Sequence, residues 1–169
     1  MNKVIVIGSG GAGKTTVARE IAAVTGLPLV HLDRFYWRPG WVPTPADEWH
    51  RVVANVVAAD RWVIDGNYGG TMNLRLAAAD TVVFLDVPRL RCLARIVKRA
   101  VLYRWRTRDD MTPGCRERVT WEFVRWIWTY PATRRPGILT RLKGYESGGG
   151  RAVVLRTDSE IREFLSAIA

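Results

Sequence analysis

The glycine-rich segment at residues 8–15 constrains the fold more than any other part of the chain. Its sequence, Gly8-Ser9-Gly10-Gly11-Ala12-Gly13-Lys14-Thr15, matches the Walker A pattern G-x-x-x-x-G-K-[ST]. An apolar, β-branched run at residues 3–7 predicts a buried strand before it, and apolar residues at helical spacing from Thr16 to Val24 predict a helix after it. This order forms a phosphate cradle, because backbone N–H groups and a helix N-terminus face the same anion.

We expect this glycine-rich loop to bind the phosphates of ATP. The residues that we expect to contact the nucleotide are Gly8, Ser9, Gly10, Gly11, Ala12, Gly13, Lys14, Thr15 and Thr16. Lys14 is placed to reach the β- and γ-phosphates, and the hydroxyl of Thr15 is placed to bind Mg²⁺. The alternative is a glycine-rich turn that contains an incidental lysine.

Strand and helix patterns alternate along the rest of the chain, which predicts an α/β fold: a parallel sheet with helices on both faces. Further strands are predicted at residues 27–32, 61–65, 80–86 and 152–155. Helices are predicted at 47–58, 72–79, 88–103, 116–130 and from 158 onward, with a short helix after Pro131. Residues 34–45 predict an ordered loop. Neither a linker nor a repeat interrupts the pattern, so we expect a single domain over residues 1–169.

Three aspartates follow predicted strands, where ligands bind in an open parallel sheet. Asp86 precedes a helix, so capping that helix is at least as good a role for it as a functional one. We expect Asp65 to hold Mg²⁺ through water, because Gly66 indicates a tight turn or a close approach to a ligand. Asp33 precedes an aromatic loop and suggests an acceptor pocket, where it would orient an alcohol or accept its proton. Spacing alone does not choose among the three.

Positive charge is concentrated in one segment. The net charge is +10, and residues 89–143 hold 15 Lys or Arg against 4 Asp or Glu, which accounts for the whole excess. Such a segment attracts nucleotide phosphates, nucleic acid or an anionic membrane, or is a solvated face. It includes one helical stripe and one alternating run: Arg91, Arg95 and Arg99, with Leu93, Val97 and Ala100 on another face, then Arg104, Arg106 and Arg108. Because arginines stabilise phosphoryl transfer, we expect an arginine-bearing lid at about residues 103–145.

Cysteine content and hydropathy indicate the cellular compartment in which we expect the protein. Cys92 and Cys115 are the only cysteines, and no signal-peptide pattern is present, so we expect free thiols and a cytoplasmic location. Two cysteines are too few for a four-cysteine zinc site. No apolar run is long enough to cross a membrane. Trp37 and Trp41 would either stack on a base or form a small hydrophobic cluster.

Several short motifs make the chain resemble the nucleoside monophosphate kinases, adenylate kinase in particular. Asp65-Gly66 with Tyr68 is similar to that family's Asp-Gly-aromatic-Pro-Arg, and residues 95–99 (Arg-Ile-Val-Lys-Arg) to its Arg-Ile-x-x-Arg. Residues 86–88 are similar to its strand-four ending, and residues 108–110 to its lid motif Arg-x-Asp-Asp. A closer resemblance is to a bacterial subgroup often labelled topology modulation protein, which shares Leu32-Asp33 with the 37–41 loop, residues 65–68, and Thr107 to Asp110.

The resemblance implies a five-stranded parallel sheet, a helical lid, and transfer of the γ-phosphate of ATP to a small acceptor, in first place a nucleoside monophosphate. It implies that Arg95 packs on the ATP base, that Arg99 contacts phosphate, and that Arg108 and Arg118 (or Arg116) close as charge clamps. Asn67-Tyr68 replaces the family's Pro-Arg, so the arginine that grips the acceptor phosphate is missing there. We expect Arg75 to substitute for it and to face the acceptor with Asp33 and Arg34.

Two other functions stay open at this point. One is a kinase of the same fold that phosphorylates an alcohol or a sugar, with Asp33 as base. The other is a nucleic-acid-associated regulatory ATPase that uses the basic segment, although neither a helix-turn-helix nor a zinc-finger pattern is visible. The sequence indicates ATP, Mg²⁺ and a small acceptor as partners and no membrane, and it leaves the oligomeric state undetermined.

Overall fold

The computed structural model describes residues 1–104 and 108–169, and its centre is a parallel sheet. The strands of this sheet are β1 (Lys3–Gly8), β2 (Leu29–His31), β5 (Trp62–Asp65), β6 (Thr81–Leu85) and β7 (Arg151–Leu155). Their spatial order is β2-β5-β1-β6-β7, and all pairs are parallel. The glycine-rich loop therefore leaves the central strand, and the carboxyl ends of β2 and β5 lie to one side of it. The predicted five-stranded parallel sheet is confirmed.

Helices cover both faces of this sheet. They are α1 (Lys14–Thr25), α2 (Asp33–Tyr36), α3 (Ala46–Ala58), α4 (Met72–Ala78), α5 (Arg89–Leu102), α6 (Trp121–Thr133), α7 (Arg135–Ser147) and α8 (Asp158–Ile168). Side chains alternate along β1: Val4 and Val6 pack with α1, α5 and α8, whereas Ile5 and Ile7 pack with α3, α4 and α7. These two apolar layers fix the strand ends that carry the candidate site.

The predicted loop at residues 34–45 has regular structure of its own. It contains the short helix α2 and a two-stranded antiparallel hairpin, β3 (Trp37–Arg38) and β4 (Val42–Pro43). We call residues 37–43 the aromatic hairpin. Two-residue strands carry too little periodicity to be recognised from sequence, which is why the pattern indicated only an ordered loop.

Helix α6 begins later than predicted, at Trp121 rather than at residue 116. The Thr120 side chain caps it by accepting a hydrogen bond from Phe123 N at 3.2 Å. Pro131 lies inside the last turn of α6, where it removes one backbone hydrogen bond to the preceding turn without ending the helix. Helix α7 runs for 13 residues and is longer than the predicted short helix.

The inward face of α5 differs from the predicted one. Cys92 and Ile96 are its buried residues, whereas Val97 is 56% exposed. The apolar line therefore runs one position earlier, and this rotation turns Arg95 and Arg99 toward the glycine-rich loop. Both cysteines are buried free thiols, as predicted.

The predicted lid segment divides into two parts. Arg106 and Thr107 lie outside the described residues, so their predicted places in it stay predictions. From residue 121 onward, α6 and α7 bury Ile127, Tyr130 and Leu142 against the sheet. The part that covers the site without belonging to a helix is residues 108–120, which we call the covering segment. Within the described ranges, no helix has the length and apolar character that a membrane span needs.

Candidate active site

The glycine-rich loop has the tightly folded backbone that its sequence predicts. Gly11 and Gly13 have φ values of 76° and 98°, in the left-handed region that favours glycine. A Cβ on Gly11 would lie 2.3 Å from the carbonyl oxygen of Cys92, so α5 packs directly against the loop. A Cβ on Gly10 would lie 2.6 Å from the ring of Phe123, so α6 covers the loop from another side.

Lys14 is folded back onto this loop. Its Nζ donates a hydrogen bond to the carbonyl oxygen of Ser9 at 3.0 Å. Burial lowers the pKa of the Lys14 ammonium, while the nearby carboxylates of Asp65 and Asp33 act to raise it. A phosphate near this ammonium would replace a weak carbonyl partner by a charged one.

Thr15 contacts two carboxylates. Its Oγ1 lies 2.7 Å from Asp65 Oδ2, to which it donates, and 3.2 Å from Asp110 Oδ2. Asp65 ends β5 and is in register with His31 at the end of β2, and His31 Nδ1 lies 3.2 Å from the same Asp65 oxygen. The predicted pair Thr15 and Asp65 is thus brought together at the carboxyl ends of adjacent strands, and Asp110 joins it from the covering segment.

Asp33 lies at the first turn of α2 and lines the same cavity as Lys14 and Thr15. The Tyr68 hydroxyl donates a hydrogen bond to Asp33 Oδ1. Desolvation raises the pKa of the Asp33 carboxyl, an effect that the hydrogen bond from Tyr68 partly offsets. Burial and the neighbouring Asp33 charge raise the pKa of Tyr68, so its hydroxyl stays protonated and keeps donating.

Arg99 and Arg108 share one carboxylate in the cavity. Arg99 contacts Glu117 Oε1 through Nε at 2.9 Å and Nη2 at 2.7 Å, and Arg108 Nε lies 3.0 Å from Glu117 Oε2. The Arg108 contact is an ion pair that is not aligned as a hydrogen bond. Arg108 Nη1 also lies 3.3 Å from Asp110. Because the Glu117 side chain is only 4% exposed, the two arginines are held by a buried counter-ion.

Arg118 lies at the aromatic hairpin. Its guanidinium carbon is 5.2 Å from the centre of the Trp41 ring, within the range of a cation–π contact. Trp41 Nε1 donates to Arg116 O at 3.0 Å, Cys115 Sγ contacts Arg38 O at 3.2 Å, and Gly40 N donates to Gly114 O at 3.4 Å. The covering segment therefore rests on the aromatic hairpin mainly through backbone groups.

These residues enclose a cavity of about 530 Å³. Some of its lining residues belong to the glycine-rich loop and the start of α1, namely Gly10, Gly11, Lys14 and Thr15. Others belong to α2, the 66–68 loop and the aromatic hairpin, namely Asp33, Tyr68, Trp37 and Trp41. Arg99, Arg108, Glu117 and Arg118 line its cover. The volume is within the range of small-molecule sites.

A second cavity, of about 580 Å³, lies beside the loop. Thr16, Gly13, Arg95 and Asp158 line it. Arg95 Nη1 donates to Ala12 O at 3.0 Å and Nη2 to Asp158 Oδ1 at 3.0 Å. Arg95 is thus fixed against the glycine-rich loop, at the edge of a space that is separate from the cavity that Asp33 lines.

Two predicted acceptor residues are not in the cavity. Arg75 is completely buried: its Nη1 donates to Gly66 O at 2.8 Å, and its Nη2 donates to Asn67 O and, at 3.0 Å, to Tyr68 O. Its guanidinium holds the 66–68 loop in shape and is not available to an acceptor phosphate. Arg34 is exposed and contributes its carbonyl oxygen to Thr112, not its side chain to the site.

Asp86 is paired with two arginines and does not cap α5. It accepts hydrogen bonds from Arg135 Nε at 2.7 Å and Nη2 at 2.9 Å, and from Arg156 Nε at 3.3 Å. The charged pair ties α7 to the end of β6. No side-chain cap is formed at the start of α5.

Sequence reasoning missed four residues that shape the site. Tyr68 was matched to a motif but not to Asp33, and Asn67 was counted only as a departure from that motif, although its side chain pairs with the backbone of Gly8. Asp110 belongs to the predicted lid motif but has no predicted partner there, and Glu117 contributes only to the charge balance of its segment. Knowledge that Glu117 is buried would have identified it, because a buried acid is almost always paired with a cation.

No protein-family model matches the chain, and no curated protein is significantly similar to it in sequence. Among solved structures, a gluconokinase from Sinorhizobium meliloti 1021 superposes with a TM-score of 0.57 at 14% identity, covering 99% of this chain and 91% of that one. A shikimate kinase from Acinetobacter baumannii, in complex with shikimate, superposes with a TM-score of 0.58 at 17% identity, covering 99% and 90%. The five-stranded α/β fold is shared with both proteins.

Proposed function

We propose that the protein is an ATP-dependent phosphotransferase that transfers the γ-phosphoryl group to a hydroxyl of a small acceptor. One observation carries this proposal: the phosphate-binding end and the carboxylate of Asp33 line a single cavity. A donor phosphate at Lys14 would thus face a group that can receive a proton. The two kinases of the same fold support the reaction class.

The donor half rests on the glycine-rich loop. Lys14 and the loop N–H groups would contact the β- and γ-phosphates, and Arg95 would border the base in the second cavity. Thr15 and Asp65 would hold Mg²⁺, and their hydroxyl and carboxylate oxygens, 2.7 Å apart, are ligands of the type that this ion prefers. When bound, Mg²⁺ would neutralise charge on the transferring phosphates.

The acceptor half rests on Asp33. The acceptor oxygen would form a bond to the γ-phosphorus, the bond from that phosphorus to the β–γ bridging oxygen would break, and ADP would leave with that oxygen. The proton of the acceptor hydroxyl would pass to Asp33, whose raised pKa suits it to receive a proton. Tyr68 positions this carboxylate.

A nucleoside monophosphate is the acceptor that the family resemblance implies. Its support is weaker, because the guanidinium of Arg75 is committed to three carbonyl oxygens. The nucleic-acid alternative also loses support at three arginines of the basic segment, since Arg99, Arg108 and Arg135 are paired with carboxylates. Duplex DNA titrated at two salt concentrations tests it, because phosphate-driven binding weakens steeply with salt.

The test of the proposed function is ADP formation from Mg·ATP with a panel of acceptors and a control without acceptor. The panel contains sugars, sugar acids, nucleosides and nucleoside monophosphates. We expect acceptor-dependent ADP formation together with one phosphorylated product, and its loss in Lys14→Ala. ADP release that no acceptor accelerates would contradict the proposal and favour an ATPase.

A further inference from the structure

We infer that the acceptor is an uncharged alcohol that carries a flat ring, bound with its hydroxyl at Asp33 and its ring against Trp37 and Trp41. The inference rests on the proposed function, since it names the substrate class of the same cavity. It is carried by two independent properties of the acceptor end: the state of its charged groups and the geometry of its aromatic rings.

Two arginines on the described cavity wall already have a carboxylate partner, and a third lies against an indole ring. Arg99 and Arg108 are held by the buried carboxylate of Glu117, and Arg118 lies over Trp41. Lys14 belongs to the donor end. An acceptor with its own phosphate or carboxylate would compete with Glu117 for Arg99 and Arg108, and its charge would face the carboxylates of Asp33 and Glu117.

Two indole rings form the wall at this end. Trp37 and Trp41 both line the cavity, and their ring centres are 5.3 Å apart at an interplanar angle of 68°. Tyr36 packs edge-on against Trp37 at 4.9 Å and contacts Tyr68 at 4.5 Å. Trp37 is therefore supported from behind by the same aromatic cluster that carries the partner of Asp33.

Trp41 is held in an unusual backbone conformation. Its φ is 66°, which is rare for a bulky side chain and costs conformational energy. The hydrogen bond from its indole Nε1 to Arg116 O and the guanidinium of Arg118 fix the ring in place. Trp41 thus has a strained backbone and a ring held at the cavity wall. A ring fixed in this way is a preformed surface on which a planar ring can stack.

A hydroxyl on the bound ring compound would find two hydrogen-bonding groups beside this surface. Asp33 accepts a proton or a hydrogen bond, and Tyr68 already donates to Asp33 and holds its position. The wall thus offers apolar faces, one acid and one hydroxyl. A nucleoside is a compound of this chemistry, because it combines a flat base with uncharged sugar hydroxyls.

The test uses pairs of probes that differ only in charge. Adenosine is compared with AMP, and uridine with UMP, by calorimetric titration of the wild-type protein whose donor site is saturated with Mg²⁺ and a non-hydrolysable ATP analogue. We expect each nucleoside to bind at least about 10-fold more tightly than its monophosphate. Tighter binding of the monophosphates, or no binding of either nucleoside, would overturn the inference.

Ring substitutions test the aromatic wall. In Trp41→Leu and Trp37→Leu, we expect the Kd for the nucleoside to rise about 10-fold, as for loss of one stacking contact, and the Kd for the ATP analogue to stay unchanged. Trp41→Phe should recover most of the affinity, and Trp128→Leu, outside the cavity, should have no effect. Unchanged nucleoside affinity in both leucine variants would overturn the inference. Phosphorylation of a ring-free sugar alone would also overturn it and leave the proposed function intact.

Discussion

The side-chain amide of Asn67 is hydrogen-bonded to both backbone groups of Gly8. Asn67 Oδ1 accepts from Gly8 N at 2.9 Å, and Asn67 Nδ2 donates to Gly8 O at 2.5 Å. The loop after β5 is thereby joined to the first residue of the glycine-rich loop. Since Tyr68 follows Asn67 directly and Asp65 lies two positions before it, this amide links the glycine-rich loop to a segment in which Asp65 and Tyr68 line the cavity.

Asn67→Asp should weaken the contact between the loop after β5 and the glycine-rich loop. The new carboxylate cannot donate to Gly8 O and would repel it, so we expect the free energy of unfolding to fall by about 1–3 kcal/mol and the affinity for ATP to weaken. Denaturant unfolding and ATP titration measure the two effects. Asn73→Asp, an exposed substitution on α4, is the control. Equal behaviour of the two variants would show that the Asn67 pairing is unimportant.

Lys14→Ala should abolish phosphoryl transfer and leave the protein folded. The variant removes a charge that burial already disfavours, so we expect no loss of stability. We expect turnover to fall by at least about 100-fold, the usual effect of removing a group that stabilises transition-state charge. Turnover and thermal unfolding are measured on the same preparation. Unchanged turnover in a folded variant would remove Lys14 from the site.

Asp33→Asn should separate binding from transfer. The asparagine can still accept the hydrogen bond from Tyr68 but cannot take a proton, so we expect transfer to fall by about 10²–10⁴-fold with ATP binding intact. In the wild type, transfer should decrease as pH falls through the raised pKa of Asp33, above the ordinary range of an aspartate. A variant that retains transfer, with the pH profile of the wild type, would exclude Asp33 as the base.

The same variant has a predicted effect on stability. A carboxyl whose pKa is raised by folding binds protons more tightly in the native state, so stability is lost as pH rises from the unfolded pKa through the folded one. We therefore expect Asp33→Asn to have a higher Tm than the wild type at pH 7, and the difference to vanish below about pH 4, where both forms are uncharged. Thermal unfolding at a series of pH values measures it.

Arg75→Lys should destabilise the fold, although the substitution keeps the charge. A lysine cannot reproduce the planar fork that donates to the carbonyl oxygens of Gly66, Asn67 and Tyr68. We expect a loss of about 2–4 kcal/mol, because buried carbonyls and a buried charge are left poorly paired. The exposed Arg34→Lys should change stability by less than about 0.5 kcal/mol. An equally small effect at Arg75 would indicate that its guanidinium is free for the acceptor.

Glu117→Gln should make the thermal stability of the protein depend more strongly on bound nucleotide. Without this carboxylate, Arg99 and Arg108 lack their shared counter-ion, so we expect a lower Tm in the absence of ATP. Because a bound phosphate would supply the missing charge, the rise in Tm on adding Mg·ATP should exceed that of the wild type. Glu122→Gln, an exposed change on the same cavity, is the control. An identical rise in all three proteins would contradict the placement of phosphate near these arginines.

The sequence predicted those parts of the fold that depend on local patterns. The β-branched runs and the glycine spacing predict the sheet and the loop. The strand ends leave three candidate aspartates, and Gly66 favours Asp65, which the structure places beside Thr15. The partners of Arg75 could not be predicted, because they are backbone carbonyls of a loop whose path has no periodic signal. Arg34 is exposed on α2 and is not among the residues that line the cavity, a placement that its position next to Asp33 does not indicate.

Contacts between distant segments were also beyond the pattern. Glu117 contacts Arg99, and Asp110 contacts Thr15, because the covering segment folds over the sheet. The sequence spacing of these residues does not indicate that the segment folds in this way. Its place after a strand singles out Asp33 as a candidate, but nothing in the pattern indicates its hydrogen-bond partner Tyr68, 35 positions away. Local rules therefore predict the Thr15–Asp65 side of the cavity, whereas the Asp33–Tyr68 side depends on tertiary contacts.

The contacts that join the covering segment to the aromatic hairpin have a consequence for how such a protein can change over generations. The carbonyl oxygens of Arg38, Gly114 and Arg116 receive most of them, and the Arg34 carbonyl oxygen on α2 accepts one more hydrogen bond from the covering segment. A backbone oxygen is present whatever side chain the residue carries. Arg34, Arg38 and Arg116 can therefore be substituted without loss of the hydrogen bonds that hold the covering segment. Related proteins could accordingly differ in the charge around the cavity, and with it in the preferred acceptor, while the covering segment keeps the same position.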